Sequence, residues 1–142
     1  MSAWCTFRLD GGLYGIDVNR VQEVLGGGGD VSPLPLAPRG VRGLVNLRGQ
    51  IVTAIDPREP LGIAGRTSTR APQLVVSHTA LPMSLLVDAV GDVERVADEA
   101  IQPPPDTLDP RRRALVRGAI PLPGRLLIVL DLDRILSAAL AA

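Results

Sequence analysis

At 142 residues, 46% of them apolar, the chain has the length of one ordinary domain and the material for a real core. Its 15 basic residues are all arginines and balance 15 acidic ones, so a net charge of zero removes the long-range pull toward nucleic acid or an anionic membrane. One cysteine (Cys5) and one histidine (His78) exclude an intramolecular disulfide and leave only carboxylates to complete a metal site, so neither metal nor other cofactor is expected.

Trp4–Leu9 reads as a short strand, Asp10-Gly11-Gly12 as a hairpin turn, and Leu13–Val18 as the returning strand. Arg8 and Asp10 interrupt the N-terminus too early for a signal peptide, and no apolar run is longer than Leu126–Leu130. With a lone cysteine, a reducing cytoplasm without direct membrane insertion is the expected setting. Val21–Leu25 (VQEVL) fits both a strand and a helical turn and is read as strand. Gly26–Gly29 lacks the Lys-Ser/Thr ending of a phosphate-binding loop and is read as a flexible surface loop. Residues 31–40 carry three prolines and read as an extended crossing segment.

The next stretch, Arg42–Arg58 (RGLVNLRGQIVTAIDPR), reads as strands Val41–Leu47 and Gln50–Asp56, joined by a tight turn at Arg48-Gly49. It recurs 75 residues later, without a gap, as RGAIPLPGRLLIVLDLD. Arg42 falls on Arg117, Gly43 on Gly118, Leu47 on Leu122, Gly49 on Gly124 and Asp56 on Asp131. A repeat of this length implies two similar halves. A half of roughly 65 residues has a marginal core on its own, so the halves should fold as one unit.

Between the repeats, Pro57–Ala71 reads as a loop. Strands are expected at Gln73–Ser77, Met83–Val87 and Asp92–Val96, with VDAVGDV echoing IDVNRVQEV of the first half. Ile101–Pro110 is a second proline-rich crossing, and Pro123-Gly124 suits a type II turn. Asp131 or Asp133 caps a final short helix, Leu132–Leu140, with Ile135, Leu136 and Leu140 on one side. The expected fold is mainly β: two pseudo-symmetric five-stranded barrels packed together, with a short C-terminal helix. The first barrel falls mostly in 1–62 and the second mostly in 72–137, with exchange of strands between them left open. The absence of long helices between strands argues against a doubly wound α/β fold.

Several of these segments together resemble the CheW family of chemotaxis coupling proteins over nearly the whole chain. They are Thr6-Phe7-Arg8-Leu9, Tyr14-Gly15-Ile16-Asp17-Val18, Val21-Gln22-Glu23-Val24, Arg42-Gly43, Asn46-Leu47-Arg48-Gly49 and Asp56-Pro57-Arg58. The second half adds Leu86–Val93, Arg117-Gly118 and Leu130-Asp131. The resemblance implies SH3-like barrels and a non-catalytic adaptor. It implies two partners, the cytoplasmic tip of methyl-accepting chemoreceptors and the regulatory domain of a CheA-type histidine kinase, and hence a place in receptor arrays at the inner face of the membrane. It places receptor binding in a groove between the barrels, at Val21, Glu23, Arg48 and Val93. Kinase docking falls on barrel ends, at residues the resemblance does not specify. The chain departs from the family pattern at Pro57, where leucine is usual and where an altered strand end is expected, and in its four-glycine stretch.

Each of these positions also has a plainer reading. Glu23 and Arg48 read equally as a solvated surface pair worth about 0–1 kcal/mol. In the groove reading they form a polar rim over an apolar floor of Val21 and Val93, with Val93 also touching the core. Asp17, Asp56, Asp88 and Asp131 sit at strand ends. Paired carboxylates can serve acid–base catalysis, but no histidine accompanies them and turn capping is the simpler account. Arg111-Arg112-Arg113 lacks the stacking aromatics and basic excess of a nucleic-acid site and reads as a solvated loop. Cys5 and His78 receive no role. Two alternatives stand beside the chemotaxis adaptor. One is a CheW-like scaffold of an array governing surface motility or gene regulation. The other is a small ligand-binding barrel or enzyme using the strand-end aspartates.

Overall fold

Ten strands and three short helices occupy the described residues, 1–27 and 29–141, of this computed structural model. Strands β1 (Ser2–Leu9) and β2 (Gly12–Asp17) form a hairpin, and a 3-10 turn at Val18–Arg20 leads to β3 (Val21–Leu25). A second hairpin joins β4 (Val41–Leu47) and β5 (Gln50–Ile55), followed by α1 (Arg58–Leu61). The second half contains β6 (Gln73–His78), β7 (Leu81–Leu86) and β8 (Ala89–Val96), then α2 (Pro110–Arg113), β9 (Val116–Leu122), β10 (Arg125–Leu130) and α3 (Leu132–Leu140). VQEVL is thus a strand. Of the four-glycine stretch, Gly28 lies outside the described residues.

The strands form two five-stranded sheets, ordered β8-β1-β2-β10-β9 and β3-β6-β7-β5-β4, which make two SH3-like barrels. Each sheet draws on both halves of the chain. The third strand of each half pairs with the first strand of the other, β8 on β1 and β3 on β6. Parallel pairings complete the exchange, Leu127 opposite Leu13 and Thr53 opposite Met83. A division of the chain at 1–62 and 72–137 therefore does not separate the sheets. The exchange is reciprocal, so neither half can complete its hydrogen-bond ladders alone.

The repeat holds in detail. In β4–β5 the register shifts between Val41 and Gly43, making Arg42 the extra residue; in β9–β10 the same shift makes Arg117 the extra residue. Both proline-rich crossings bridge back to the strand beside that bulge, Ser32 to Leu44 and Gln102 to Ala119. The turns differ. Arg48 and Gly49 both have positive φ (54° and 83°), the pattern of a type I′ turn, whereas the ring of Pro123 requires negative φ before Gly124 at 71°.

Each barrel has its own small core: Trp4, Leu13, Ile120, Leu127 and Val129 in one, Val31, Val45, Val52, Ala54 and Leu86 in the other. A larger cluster lies between them and takes Phe7 and Ile16 from one sheet, Ile55, Leu74 and Leu85 from the other, and Ile135 and Leu136 from α3. Asp131 caps α3 by accepting from Arg134 N, and Leu140 is partly buried against the shared core. This shared layer is where the two halves become one domain.

Two loop expectations need correction. Pro57–Ala71 is not all loop, because α1 starts beside Pro57, whose φ of −68° suits its ring, and ends at Gly62 in the left-handed region. Pro57 leaves the strand end unaltered: β5 ends one residue before Asp56, as β10 ends one residue before Asp131. Arg111–Arg113 is not a solvated loop but part of α2, capped by Asp109. Arg111 donates to the carbonyl of Glu59 (2.8 Å) and Arg112 to that of Leu61 (2.6 Å), satisfying the carbonyls that end α1. The third strand of the second half is also longer than expected, since β8 begins at Ala89.

Candidate functional site

The turn between β4 and β5 is held by the Asn46 carboxamide, which accepts from Gly49 N at 2.9 Å. This sets Arg48 at the tip with its side chain 81% exposed. The Arg48 guanidinium forms an ion pair with Glu23 on β3, whose side chain is 30% exposed. Two of the four expected groove residues are thus in direct contact. Val21, two residues before Glu23, is half-buried against the shared core and lies opposite Val76 of β6.

Val93 belongs to the other sheet, on β8 opposite Cys5 of β1. It is exposed (47%) rather than turned into the core, as is Val90 on the same strand. On β3 the exposed apolar residue is Val24, which the sequence reading left out. β3 and β8 are edge strands and equivalent members of the two halves, so each barrel offers one edge with exposed valines. An exposed edge is a ready template for another chain, and a register shift interrupts the pairing of each with its inner neighbour.

The four strand-end aspartates do not converge on one centre. Asp56 is buried and accepts from Arg58 N, Thr67 N, Thr67 Oγ1 and the Arg42 guanidinium. Asp88 accepts from Arg58 at 2.7 Å and from Asp10 N at 2.8 Å. Asp17 accepts from Asn19 N and Asp131 from Arg134 N; these two line one surface cavity of about 190 Å³, together with Arg20, Arg117 and Asp133. Beside it, Asp133 takes two bonds from Arg20 (3.1 and 2.7 Å), and His78 lies 3.4 Å from it. The bond to Arg20 holds the Asp133 carboxyl below the usual carboxylate range, and Asp133 in turn raises Arg20. Burial pushes the Cys5 thiol up, which disfavours the reactive thiolate. Among the described residues no cluster of His, Cys, Asp and Glu could hold a metal ion, and no helix is long and apolar enough to cross a membrane.

Two strand-exchanged β-barrels with packed cores, exposed edge strands and strand-end aspartates engaged in caps and ion pairs have the architecture of an interaction scaffold. The chain belongs to the CheW family: residues 4–140 match the CheW-like domain. It is 32% identical over 130 residues to the chemotaxis protein CheW of Rhizobium meliloti, covering 91% of this chain and 83% of that one. It is 31% identical to the chemotaxis protein CheW of Klebsiella aerogenes, covering 93% and 80%. The crystal structure of the scaffolding protein TtCheW from Thermoanaerobacter tengcongensis superposes with a TM-score of 0.81 at 30% identity, covering 94% of this chain and 86% of that one. The family is one of non-catalytic chemotaxis scaffolds, and the present chain is a CheW-like scaffold of this kind.

Proposed function

We propose that this scaffold couples methyl-accepting chemoreceptors to a CheA-type histidine kinase, binding the receptor's cytoplasmic tip and the kinase's regulatory domain at once. The observation that carries the proposal is the Glu23–Arg48 ion pair that joins the edge strand β3 to the exposed tip of the β4–β5 hairpin. A receptor helix laid there would meet a forked guanidinium donor at the rim and the valines of β3 as apolar contacts. Val21, Glu23 and Arg48 supply one side of the binding surface. Val93 supplies an exposed apolar contact on the second barrel. The adaptor acts by geometry: it carries no chemistry of its own and fixes receptor and kinase in one arrangement, so that receptor conformation alters kinase activity. Its place at arrays on the inner face of the membrane follows from receptor binding.

The test is a pair of titrations of the full chain, one against a receptor tip fragment and one against a CheA-type regulatory domain. Binding of both, with simultaneous occupancy in a three-component mixture, supports the coupling role. Failure to bind the kinase domain at high concentration, with the chain shown to be folded, sinks it.

A further inference from the structure

The two repeat hairpins set their turns by different means. In the second half Pro123 precedes Gly124, and its ring fixes one backbone angle of the turn. In the first half Arg48 stands at that position with φ 54°, in the left-handed region. Glycine, asparagine and aspartate settle there readily, and a long side chain such as arginine does so at a cost. The Arg48 side chain is 81% exposed, so packing does not offset that cost.

Two contacts hold Arg48 instead. Asn46 Oδ1 accepts from Gly49 N at 2.9 Å and ties the backbone on either side of Arg48 together. Glu23 of β3 accepts from Nη2 of the guanidinium. Among the described residues the guanidinium makes no other hydrogen bond, so Nε and Nη1 remain as donors for a partner. Asn46 is exposed, and among the described residues its side chain bonds to Gly49 N alone. Its repeat mate is Pro121, which offers no side-chain acceptor. The carboxamide and the tip arginine thus occur together in one hairpin and are both replaced by proline in the other.

We propose that Asn46 is a positioning residue of the receptor surface: it holds Arg48 in the left-handed conformation, so that the guanidinium is aimed at the partner before binding. The assignment rests on the reading of Arg48 as a receptor contact. Asn46 restrains the backbone and Glu23 the far end of the side chain, and the two together leave the long chain little freedom to lose. A contact ordered in advance costs less entropy when the complex forms. Without the carboxamide the tip relaxes toward turns that an arginine prefers, Glu23 holds only the end of a flexible chain, and the cost of ordering Arg48 falls on the receptor complex.

The test is a double-variant cycle on the full chain, titrated against a receptor tip fragment. Asn46→Ala should raise the receptor Kd by about three- to tenfold, the cost of immobilising one long side chain on binding. Asn46→Asp keeps the acceptor for Gly49 N and should recover most of the affinity. In an Arg48→Ala background Asn46→Ala should have no further effect, because the side chain it aims is gone. Amide exchange at Gly49 should quicken in Asn46→Ala and not in Asn46→Asp, which reads the turn bond directly and confirms that the rest of the barrel is intact. Unchanged receptor affinity in Asn46→Ala, with Arg48→Ala weakened, overturns the assignment and leaves the receptor surface standing. An equal loss from Asn46→Ala with and without Arg48 also overturns it, since the effect then does not pass through Arg48. So does a loss in Asn46→Asp as large as in Asn46→Ala. Unaltered affinity in Arg48→Ala, or no receptor binding by the wild type, fails the receptor-surface reading itself and this assignment with it.

Discussion

Gly43 and Gly118 occupy the same bulge position in the two repeat hairpins, and each lies against the carbonyl of a proline-rich crossing, Ser32 in the first half and Gln102 in the second. A side chain at either place would enter that backbone. The crossing and the hairpin are therefore held at one fixed distance in both barrels, and bridges Ser32–Leu44 and Gln102–Ala119 close the contact. The residue before each glycine is the bulge arginine, so the same device aims Arg42 and Arg117.

Alanine at either glycine should destabilise the fold, unequally. Gly118→Ala forces a methyl against Gln102 O and Ile101, a cost of about 1–3 kcal/mol for overpacking. Gly43→Ala adds backbone strain of about 1–3 kcal/mol, because Gly43 has φ 145°. Urea unfolding should rank wild type above Gly118→Ala above Gly43→Ala. Equal midpoints for the three proteins would contradict the close approach.

The repeated aspartates should also differ. Asp56 is buried and accepts from the Arg42 guanidinium, from Arg58 N and from both donors of Thr67, so Asp56→Ala leaves the Arg42 guanidinium short of an anion. Breaking a buried pair from one side costs about 3–5 kcal/mol. Asp131→Ala removes one helix cap and an exposed contact to Arg134, a loss of about 1 kcal/mol. Chemical denaturation of the two variants separates these roles, and a loss of similar size in both would mean that the buried network contributes little.

Asp133 sets part of the acid response. Its carboxyl is held down first by the bond from Arg20, with His78 assisting. A group whose folded pKa is depressed contributes stability above its unfolded pKa of about 4, and that contribution is lost as pH falls through the folded value. The side chain is 60% exposed, so the effect is small. Melting temperature measured from neutral pH downward should fall less steeply below about pH 4 in Asp133→Asn than in wild type, from a slightly lower neutral value. Parallel curves would show that Asp133 has no linkage to folding.

The hairpins, their turns and the C-terminal helix were legible because local signals carry them: β-branched runs, a glycine at each turn, an aspartate before Leu132. The 75-residue repeat was legible because the copies align without a gap. The pairing of β8 with β1 and β3 with β6 was not, because strand exchange is a long-range choice between edges of nearly equal pattern. Helix α2 carried its signature in Asp109-Pro110, a capping residue followed by proline, yet the charge of the three arginines pointed to solvent. The actual partners of Arg111 and Arg112, the carbonyls ending α1, lie far along the chain and leave no trace in local composition. Glu23 and Arg48 were singled out by the family resemblance, and their pairing, one of the two sequence readings, is an ion pair across 25 residues. The exposure of Val93 was misjudged because an edge strand beside a bulge does not keep the simple in-and-out alternation.

Charge exchange across Glu23 and Arg48 gives the sharpest test of the proposed receptor surface. Arg48→Glu places two carboxylates together and removes the guanidinium donors; being at an exposed tip, it should leave the melting temperature nearly unchanged. If a receptor carboxylate or helix carbonyl is bound there, the loss falls toward the low end of about 2–5 kcal/mol for a charged contact buried on association. Kinase-domain affinity should be little altered. The double variant Glu23→Arg, Arg48→Glu restores an ion pair with its direction reversed. Receptor binding that stays weak in the double variant assigns a direct contact to Arg48, whereas full recovery would mean that only the internal pair mattered. Val93→Glu adds a charge on the exposed face of β8 and should weaken the receptor complex without unfolding the barrel, since Val93 is outside the core. Unchanged receptor affinity in both Arg48→Glu and Val93→Glu would remove these two residues from the surface.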